Sequence, residues 1–136
     1  MGNPSKNNRY QRQISLKELG EIGQQKLKDA KVLVIGAGGL GCPALLYLAG
    51  AGVGRIGIVD FDLVSLSNLH RQVLFSVNDI GLSKALRAAD VLEQINPDIE
   101  IIAFNDKISN ANALEIIKGF DIVLDGTDNF TSRYLI

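Results

Sequence analysis

Short runs of apolar residues alternate with longer stretches of helical periodicity along most of the chain. Four such runs, at 32–35, 56–60, 99–104 and 121–125, are typical of strands that a sheet buries on both faces. Stretches at 42–51, 82–95 and about 110–119 carry apolar residues at the spacing of a helix face. Strands that alternate with helices predict an α/β fold: a Rossmann-like, doubly wound parallel sheet with right-handed crossovers and the strand order 3-2-1-4.

The stretch over 82–95 has the clearest helical periodicity. Pro97 is expected to end this helix, and the residues expected on its buried side are Leu82, Ala85, Leu86, Ala89, Leu92 and Ile95. Before the first strand, apolar residues from Ile14 to Ala30 also have helical spacing, and Gly20 and Gly23 predict a split into two short helices. Residues 61–80 are predicted to form a long irregular connection, of the kind that is usually functional in a compact domain.

The length and composition fit one globular domain. The chain has 136 residues, of which 46% are hydrophobic and 21% are charged, as in ordinary globular proteins. Residues 1–8 are predicted to be a disordered tail, and residues 9–136 to form the domain. The sequence ends at Ile136, inside what reads as a new helix after the fourth strand. We therefore expect the chain to be the N-terminal portion of a longer protein whose sheet continues.

Several classes of protein are disfavoured by what the sequence lacks. No apolar run approaches the ~18 residues of a membrane span, and the polar N-terminus lacks the apolar segment of a signal peptide, so we expect a cytoplasmic protein without a membrane partner. Cys42 is the only cysteine, which excludes an internal disulfide and a cysteine-based metal site within these residues. Its place at a helix start allows an acidified thiol; packing of a small side chain is the other interpretation.

Charge is distributed unevenly along the chain. Residues 1–31 hold seven Lys or Arg against three Asp or Glu (net +4), and the remainder holds seven against twelve (net −5). A nucleic-acid-binding protein normally has a broad basic face, so this distribution disfavours a nucleic-acid partner. A basic arm on an acidic body suits a phosphate ligand or a partner subunit, and simple solvation of the arm is the alternative.

The first strand runs directly into a glycine-rich turn and a small-residue helix. In this turn Gly36 allows a sharp bend, Gly38 and Gly39 can bring backbone N–H groups against a phosphate, and Gly41 lets the helix pack close to the strand. The helix N-terminus adds a favourable field for an anion. The second strand ends at Asp60, 24 residues after Gly36 (60 − 36), near the spacing at which an acid reaches a ribose hydroxyl. The pattern predicts a nucleotide site; a sharp turn without a ligand is the alternative.

Further polar side chains are expected at the same edge of the sheet. Arg71 offers a planar fork suited to phosphate oxygens. Lys84 falls in the first turn of a helix, where a cation is unfavourable unless an anion offsets the dipole, and solvation is its alternative. Asp128, in the turn after the fourth strand, suits Mg²⁺, or else forms an Asx turn. The remaining candidates are Asp62, Asn68 and Gln72. Such a set fits a triphosphate and phosphoryl or nucleotidyl transfer.

Six ordered motifs together resemble the adenylation domain of the ubiquitin-activating-enzyme-like family. Within that family they are most similar to the bacterial ThiF/MoeB/HesA-type adenylyltransferases, which activate sulfur-carrier proteins for molybdopterin and thiamine synthesis. The resemblance covers about residue 9 to the end. The motifs are Arg9-Tyr10-Gln11-Arg12-Gln13, Gly36-Ala37-Gly38-Gly39-Leu40-Gly41, Asp60-Phe61-Asp62, Ser67-Asn68-Leu69-His70-Arg71-Gln72, Gly81-Leu82-Ser83-Lys84 and Thr127-Asp128-Asn129.

The resemblance implies an activity and roles for individual residues. The C-terminal Gly-Gly carboxylate of a ubiquitin-like sulfur carrier would attack the α-phosphate of ATP, giving an acyl-adenylate and pyrophosphate. Arg12 would be donated across a homodimer interface, and zinc is expected only in the absent C-terminal part. By the resemblance, Gly39 would contact the nucleotide, Asp60 would bind the ribose and Asp128 would hold Mg²⁺. Asn68, Arg71 and Lys84 would bind the phosphates. The other residues implied around the nucleotide are Gly36, Gly38, Gly41, Asp62, Ser67, Gln72 and Asn129.

Two other functions remain open from the sequence. An NAD-binding oxidoreductase can use the same strand–turn–helix–strand unit, although it leaves Arg71 and Lys84 without a task. A non-catalytic module that keeps the fold and dimerises through the basic arm is the other hypothesis. His70, where the family often has glutamine, is interpreted as a tolerated loop variant.

Overall fold

A computed structural model of the chain describes residues 9–126, so the predicted tail at 1–8 and the candidates Asp128 and Asn129 lie outside the described residues. Within that range, four strands form one parallel sheet: β1 (Lys31–Ile35), β2 (Arg55–Val59), β3 (Glu100–Phe104) and β4 (Ile122–Asp125). Their order is β3-β2-β1-β4, which confirms the predicted order. The sheet therefore reverses its direction of winding between β1 and β4, and a crevice opens there at the carboxyl ends of the strands.

Helices and 3₁₀ turns connect the strands. The helices of the described range are α1 (Gln11–Ile14), α2 (Gly20–Asp29), α3 (Gly41–Ala51), α4 (Lys84–Ile95) and α5 (Ala113–Ile117). The long connection between β2 and α4 contains two 3₁₀ turns, Leu66–Asn68 and Val77–Asp79. No helix within residues 9–126 has the length and apolar content needed to cross a bilayer.

Both faces of the sheet are covered, which explains the continuous apolar runs of the inner strands. Val32 and Val34 of β1 point to the face on which α3 and α4 pack, and they are almost fully buried there. Leu33 and Ile35 point to the opposite face, where the residues around α5 cover them. The inner strand β1 is therefore apolar at four consecutive positions rather than alternating.

The buried side of α4 differs from the prediction. Leu82, Leu86 and Ile95 were expected to be buried, but their exposed fractions are 48%, 52% and 37%. The prediction is confirmed for Ala85, Ala89 and Leu92, and the other buried residues of α4 are Lys84 and Ala88. Small alanines let α4 approach the sheet and α3 closely. The buried side of the helix is therefore rotated by roughly one residue position relative to the predicted side, which includes more leucines. This rotation buries Lys84.

The N-terminal segment splits into two short helices as predicted, but not at both glycines. The break is residues 15–19; Gly20, with a φ of +59°, begins α2, and Gly23 lies inside it. A Cβ at Gly23 would lie 2.6 Å from the Leu19 side chain, which therefore packs directly over this glycine inside α2.

Candidate functional site

A cavity of about 290 Å³ opens at the carboxyl edge of the sheet, beside the switch point between β1 and β4. The glycine turn, the end of β2, the long connection and the start of α4 all contribute to it. Its lining residues are Ile35, Gly36, Gly38, Val59, Asp60, Phe61, Asp62, Asn68, Arg71, Gln72, Lys84, Asp106, Lys107, Ile108 and Gly126. Most of the predicted site residues therefore meet at one place.

The glycine turn needs its glycines for two separate reasons. Gly36 has a φ of +98°, a conformation that side chains with a Cβ rarely adopt. A Cβ at Gly41 would lie 1.8 Å from the Gly36 carbonyl oxygen, so only glycine lets α3 begin this close to the end of β1. Gly126, at the end of β4, approaches the same carbonyl, which brings the two sides of the crevice together.

Asp60 ties the end of β2 to this turn. One carboxylate oxygen, Oδ2, accepts a 2.8 Å hydrogen bond from the Ala37 N–H, and the other, Oδ1, accepts one of 2.8 Å from the Asp62 N–H. Burial raises the pKa of Asp60 above its ordinary value; the two backbone hydrogen bonds and the positive charge of Lys84 act in the opposite direction. Each oxygen keeps a second lone pair for a ligand.

Lys84 lines the cavity and is only 5% exposed. Its ammonium nitrogen is 4.0 Å from Asp62 Oδ2, and its backbone N–H donates a 3.0 Å hydrogen bond to the Asp62 carbonyl. The carboxylate of Asp62 is half exposed, so it neutralises the lysine incompletely. Lys84 is therefore not a solvated surface residue, and a buried ammonium at a helix N-terminus faces the cavity.

Arg71 and Gln72 lie against the glycine turn from the other side. The Arg71 side chain runs over Gly39, where a Cβ would be 3.3 Å from Arg71 Cδ. Gln72 is 3% exposed, and its Oε1 is a buried acceptor with no hydrogen-bond partner within residues 9–126. Its Nε2 is 3.8 Å from the position that a Cβ would take on Gly38. An unpaired buried amide oxygen is costly, which marks this corner as incomplete without a ligand or water.

Some predicted residues are not brought to the cavity. Ser67 is exposed, and its hydroxyl lies 3.3 Å from that of Ser65. Asn68 does line the cavity, where its Oδ1 accepts a 2.6 Å hydrogen bond from Ser65 Oγ. Arg12 is exposed on α1 and is not among the lining residues. Gly39 and Gly41 shape the turn beneath Arg71 and behind the cavity rather than lining it.

Phe61, Asp106, Lys107 and Ile108 are among the lining residues that were not predicted to belong to the site. Lys107 Nζ lies 5.6 Å from the centroid of the Phe61 ring, a cation–π contact that closes one wall. The predicted strand order could have indicated Asp106, Lys107 and Ile108, because it makes β2 and β3 neighbours, and Val59 is paired with Phe104. Residues just after β3 must then lie beside those just after β2.

Cys42 is a packing residue. It is fully buried, and its thiol donates a 3.3 Å hydrogen bond to the Ala37 carbonyl. Burial raises the pKa of the Cys42 thiol to about 11, so the thiol stays protonated at neutral pH. The interpretation as a small packed side chain is confirmed, and an acidified thiol is excluded.

The strand order, the glycine turn and the acid at the end of β2 define a Rossmann-like α/β domain. The chain belongs to the ThiF family, whose model matches residues 10–136. This confirms the family resemblance that the six motifs carry.

Named relatives agree with this assignment. A probable molybdopterin-synthase adenylyltransferase of Porphyra purpurea is 52% identical over 128 residues, which make up 94% of this chain and 34% of that protein. A sulfur carrier protein adenylyltransferase of Thermus thermophilus is 50% identical over 128 residues, 94% of this chain and 47% of that protein. The chain thus spans about a third to a half of the length of these relatives.

Solved structures share the fold. The E. coli tRNA N6-threonylcarbamoyladenosine dehydratase TcdA, determined in complex with ATP, superposes with a TM-score of 0.86 at 30% sequence identity. The superposition covers 94% of this chain and 53% of that one.

Proposed function

We propose that this chain binds ATP and adenylates the C-terminal Gly-Gly carboxylate of a ubiquitin-like sulfur-carrier protein. The observation that carries the proposal is Lys84, a buried ammonium that lines the cavity: its one ion pair within residues 9–126 is with the half-exposed Asp62 carboxylate at 4.0 Å, and the Asp60 carboxylate also interacts with it electrostatically. Burying a charge without close pairing is costly. A polyanionic ligand at the mouth of the sheet would supply the missing negative charge.

The residues around the cavity fit ATP. Gly38 and Gly39 carry no Cβ at the helix N-terminus, where phosphate oxygens are favoured. Arg71 and Lys84 both line the cavity and supply positive charge, and the unpaired Gln72 Oε1 supplies a hydrogen-bond acceptor for an N–H or O–H group of the nucleotide. We assign the phosphates to Asn68, Arg71 and Lys84, and the ribose to Asp60.

The chemistry needs no side-chain nucleophile. The carrier's carboxylate oxygen would form a bond to the α-phosphorus while the bond from that phosphorus to the bridging oxygen breaks, and pyrophosphate leaves with the electron pair. Arg71 and Lys84 would stabilise the charge that develops on the phosphoryl oxygens. Asp128, which we propose as the Mg²⁺ ligand, lies outside residues 9–126, and no group of three or more His, Cys, Asp or Glu able to hold a metal occurs within that range.

The relatives support the choice of substrate. A protein named a sulfur carrier protein adenylyltransferase is 50% identical to this chain over nearly all of it. The TcdA structure contains ATP at 30% identity. An NAD-dependent oxidoreductase is less well supported, since hydride transfer gives Lys84 no role.

We further propose a homodimer in which Arg12 enters the site of the partner chain. The contacts of the N-terminal segment lie at the C-terminal end of α3, and the glycine turn lies at its N-terminal end. Eleven residues of helix separate the two ends by about 16 Å at 1.5 Å per residue. That distance exceeds the length of an arginine side chain, which supports an action of Arg12 on a second copy.

The test is ATP–pyrophosphate exchange in the presence of a Gly-Gly-ended ubiquitin-like carrier. Lys84→Met is expected to lower the exchange rate by about 100-fold or more, in the range seen when one charge-stabilising group is removed. Lys118→Met is the matched control, because Lys118 is an exposed lysine paired with Glu115 on the surface. Exchange that survives Lys84→Met at the control rate would refute the proposal.

A further inference from the structure

We propose that Tyr10, Gln13 and Asn96 form a clamp that positions Arg12 for the partner chain's site. The proposal rests on the function above, in which Arg12 acts on a second copy. It assigns roles to Arg9, Tyr10 and Gln13 of the Arg9-Tyr10-Gln11-Arg12-Gln13 motif, of which the proposed activity itself uses only Arg12.

Tyr10 is the buried anchor of the clamp. It is 6% exposed, and its hydroxyl accepts a 2.7 Å hydrogen bond from Asn96 Nδ2. Asn96 is fully buried and donates a second bond, of 2.9 Å, to the Ala49 carbonyl. The Tyr10 ring covers Gly52, where a Cβ would lie 2.6 Å from the ring. Gly52 also has a φ of +91°, so two independent features require glycine beneath the tyrosine.

Gln13 is the second anchor. Its Nε2 donates to Gln24 Oε1 at 2.8 Å and to the Ala51 carbonyl at 3.0 Å. Gln24, itself 8% exposed, donates to the same carbonyl at 3.0 Å. The last carbonyls of a helix lack partners within the helix. Gln13 and Gln24 satisfy that of Ala51, and Asn96 adds a second hydrogen bond to that of Ala49, which also accepts one from the Gly52 N–H.

Arg9 extends the clamp on the other side of Tyr10. Its Nη1 donates a 3.0 Å hydrogen bond to the Ile95 carbonyl, and its Nε lies 3.6 Å from Asp98 Oδ2. Arg12 differs from its neighbours: it is exposed, and its guanidinium has no hydrogen bond or ion pair within residues 9–126. The segment is thus fixed at three side chains and leaves one cation directed away from the domain.

Holding the N-terminal segment in place would contribute to catalysis as well as to folding. A four-residue helix such as α1 is not stable on its own, so Arg12 would otherwise sit on a loose arm. Holding the backbone beforehand removes entropy that would be lost when the guanidinium enters a transition state. The clamp therefore acts through Arg12, and Tyr10, Gln13 and Asn96 are positioning residues.

The kinetic test is a double-mutant cycle in the exchange assay. Tyr10→Phe removes the hydroxyl that Asn96 contacts and keeps the ring on Gly52. We expect it to lower the exchange rate roughly 10-fold when Arg12 is present and less than about 2-fold in the Arg12→Ala background, because coupled residues are not additive. Gln11→Ala is the matched control, since Gln11 is exposed in the same helix, and it should change neither rate.

A distance measurement tests the clamp without activity. Spin labels on Arg12→Cys and Leu114→Cys report the position of the arm relative to α5, where Leu114 is 82% exposed. Cys42 is fully buried and remains unlabelled. With labelled chains diluted in unlabelled protein, Tyr10→Phe should widen the distance distribution and Gln11→Ala should not.

Each outcome decides a different point. Equal fold losses in both Arg12 backgrounds, or an unchanged distance distribution in Tyr10→Phe, would overturn the clamp. A parent protein that shows no exchange with any carrier would refute the proposed adenylation instead, and the spin-label widths would still decide whether Tyr10 holds the arm.

Discussion

The Ala37 N–H donates a 2.8 Å hydrogen bond to Asp60 Oδ2, so the acid at the end of β2 holds the glycine turn that follows β1. The acid thus has two tasks that the sequence alone does not separate. It shapes the turn through Ala37, and through its remaining lone pairs it can bind a ribose. The first task is intramolecular and makes Asp60 a structural residue, and ribose binding is the role that we propose for it.

Asp60→Asn tests both tasks. An amide has one acceptor oxygen, so its NH₂ must face either the Ala37 or the Asp62 N–H. We expect ATP affinity to fall by about 10- to 100-fold, as for the loss of a hydrogen bond to a charged group, measured by titration calorimetry. Asp121→Asn is the control, because Asp121 accepts a 3.3 Å bond from the Lys31 N–H at the opposite edge of the sheet. Equal affinities for both variants would exclude a ligand role for Asp60.

Two glycines of the same helix should respond in opposite directions to alanine. Gly41→Ala places a Cβ 1.8 Å from the Gly36 carbonyl oxygen and should lower the free energy of unfolding by about 1–3 kcal/mol or more. Gly50→Ala meets nothing within 4 Å and should raise it by about 0.5–1 kcal/mol, because alanine restricts the unfolded chain. Urea midpoints measure both. A neutral Gly41→Ala would mean that α3 can move away from the turn.

The sheet could be predicted from the sequence because its signals are local. Apolar residues at four consecutive positions of β1 mark a strand covered on both faces, and the alternation of strands with helices then favours a parallel sheet with right-handed crossovers. The buried side of α4 could not be predicted in the same way. Ala85, Ala89 and Leu92 are buried as predicted. Leu82, Leu86 and Ile95 are exposed, because close contact with α3 favours the side of the helix that carries alanines, and this depends on the distance between two helices.

The candidate site was predictable in part for a related reason. Residues that follow β1 and β2, such as Gly38 and Asp60, fall at one edge by topology alone. The contact between Phe61 and Lys107 could have been predicted only by using the pairing of β2 with β3 to place the residues that follow both strands side by side. The unpaired oxygen of Gln72 carries no sequence signal, since it arises from the path of a long connection. The roles assigned to the site residues stay predictions.

The lowered pKa of Asp79 predicts that the protein is less stable in acid. Burial tends to raise its pKa, but hydrogen bonds from the Ser76 backbone N–H and from Arg87 Nε, at 2.9 and 2.7 Å, outweigh it and lower the pKa below the ordinary value of 3.8. A carboxyl with a depressed native pKa adds stability above its unfolded pKa, and this is lost as pH falls through the native value. The free energy of unfolding should therefore drop below about pH 4.

Asp79→Asn should remove part of that pH dependence. The variant should be less stable at neutral pH by about 1–3 kcal/mol, and its urea midpoint should change less between about pH 5 and pH 2.5. Asp90→Asn is the control, since Asp90 is 63% exposed and lies 3.9 Å from the same arginine. If the urea midpoints of Asp79→Asn and the parent fall in parallel across this pH range, the Asp79–Arg87 ion pair is not the cause of the loss of stability in acid.

Mixing two variants with strongly reduced exchange rates decides whether Arg12 acts on the site of its own chain or on that of its partner. In an Arg12→Ala chain the local site keeps Lys84, and in a Lys84→Met chain the arm keeps Arg12. If Arg12 enters the partner's site, a mixed dimer has one complete site, assembled from the lysine of the first chain and the arginine of the second. Random pairing of equal amounts makes half of the dimers mixed, so about a quarter of the parent exchange rate should return. If Arg12 served its own chain's site, no dimer would contain a complete site and the mixture would exchange no faster than its components.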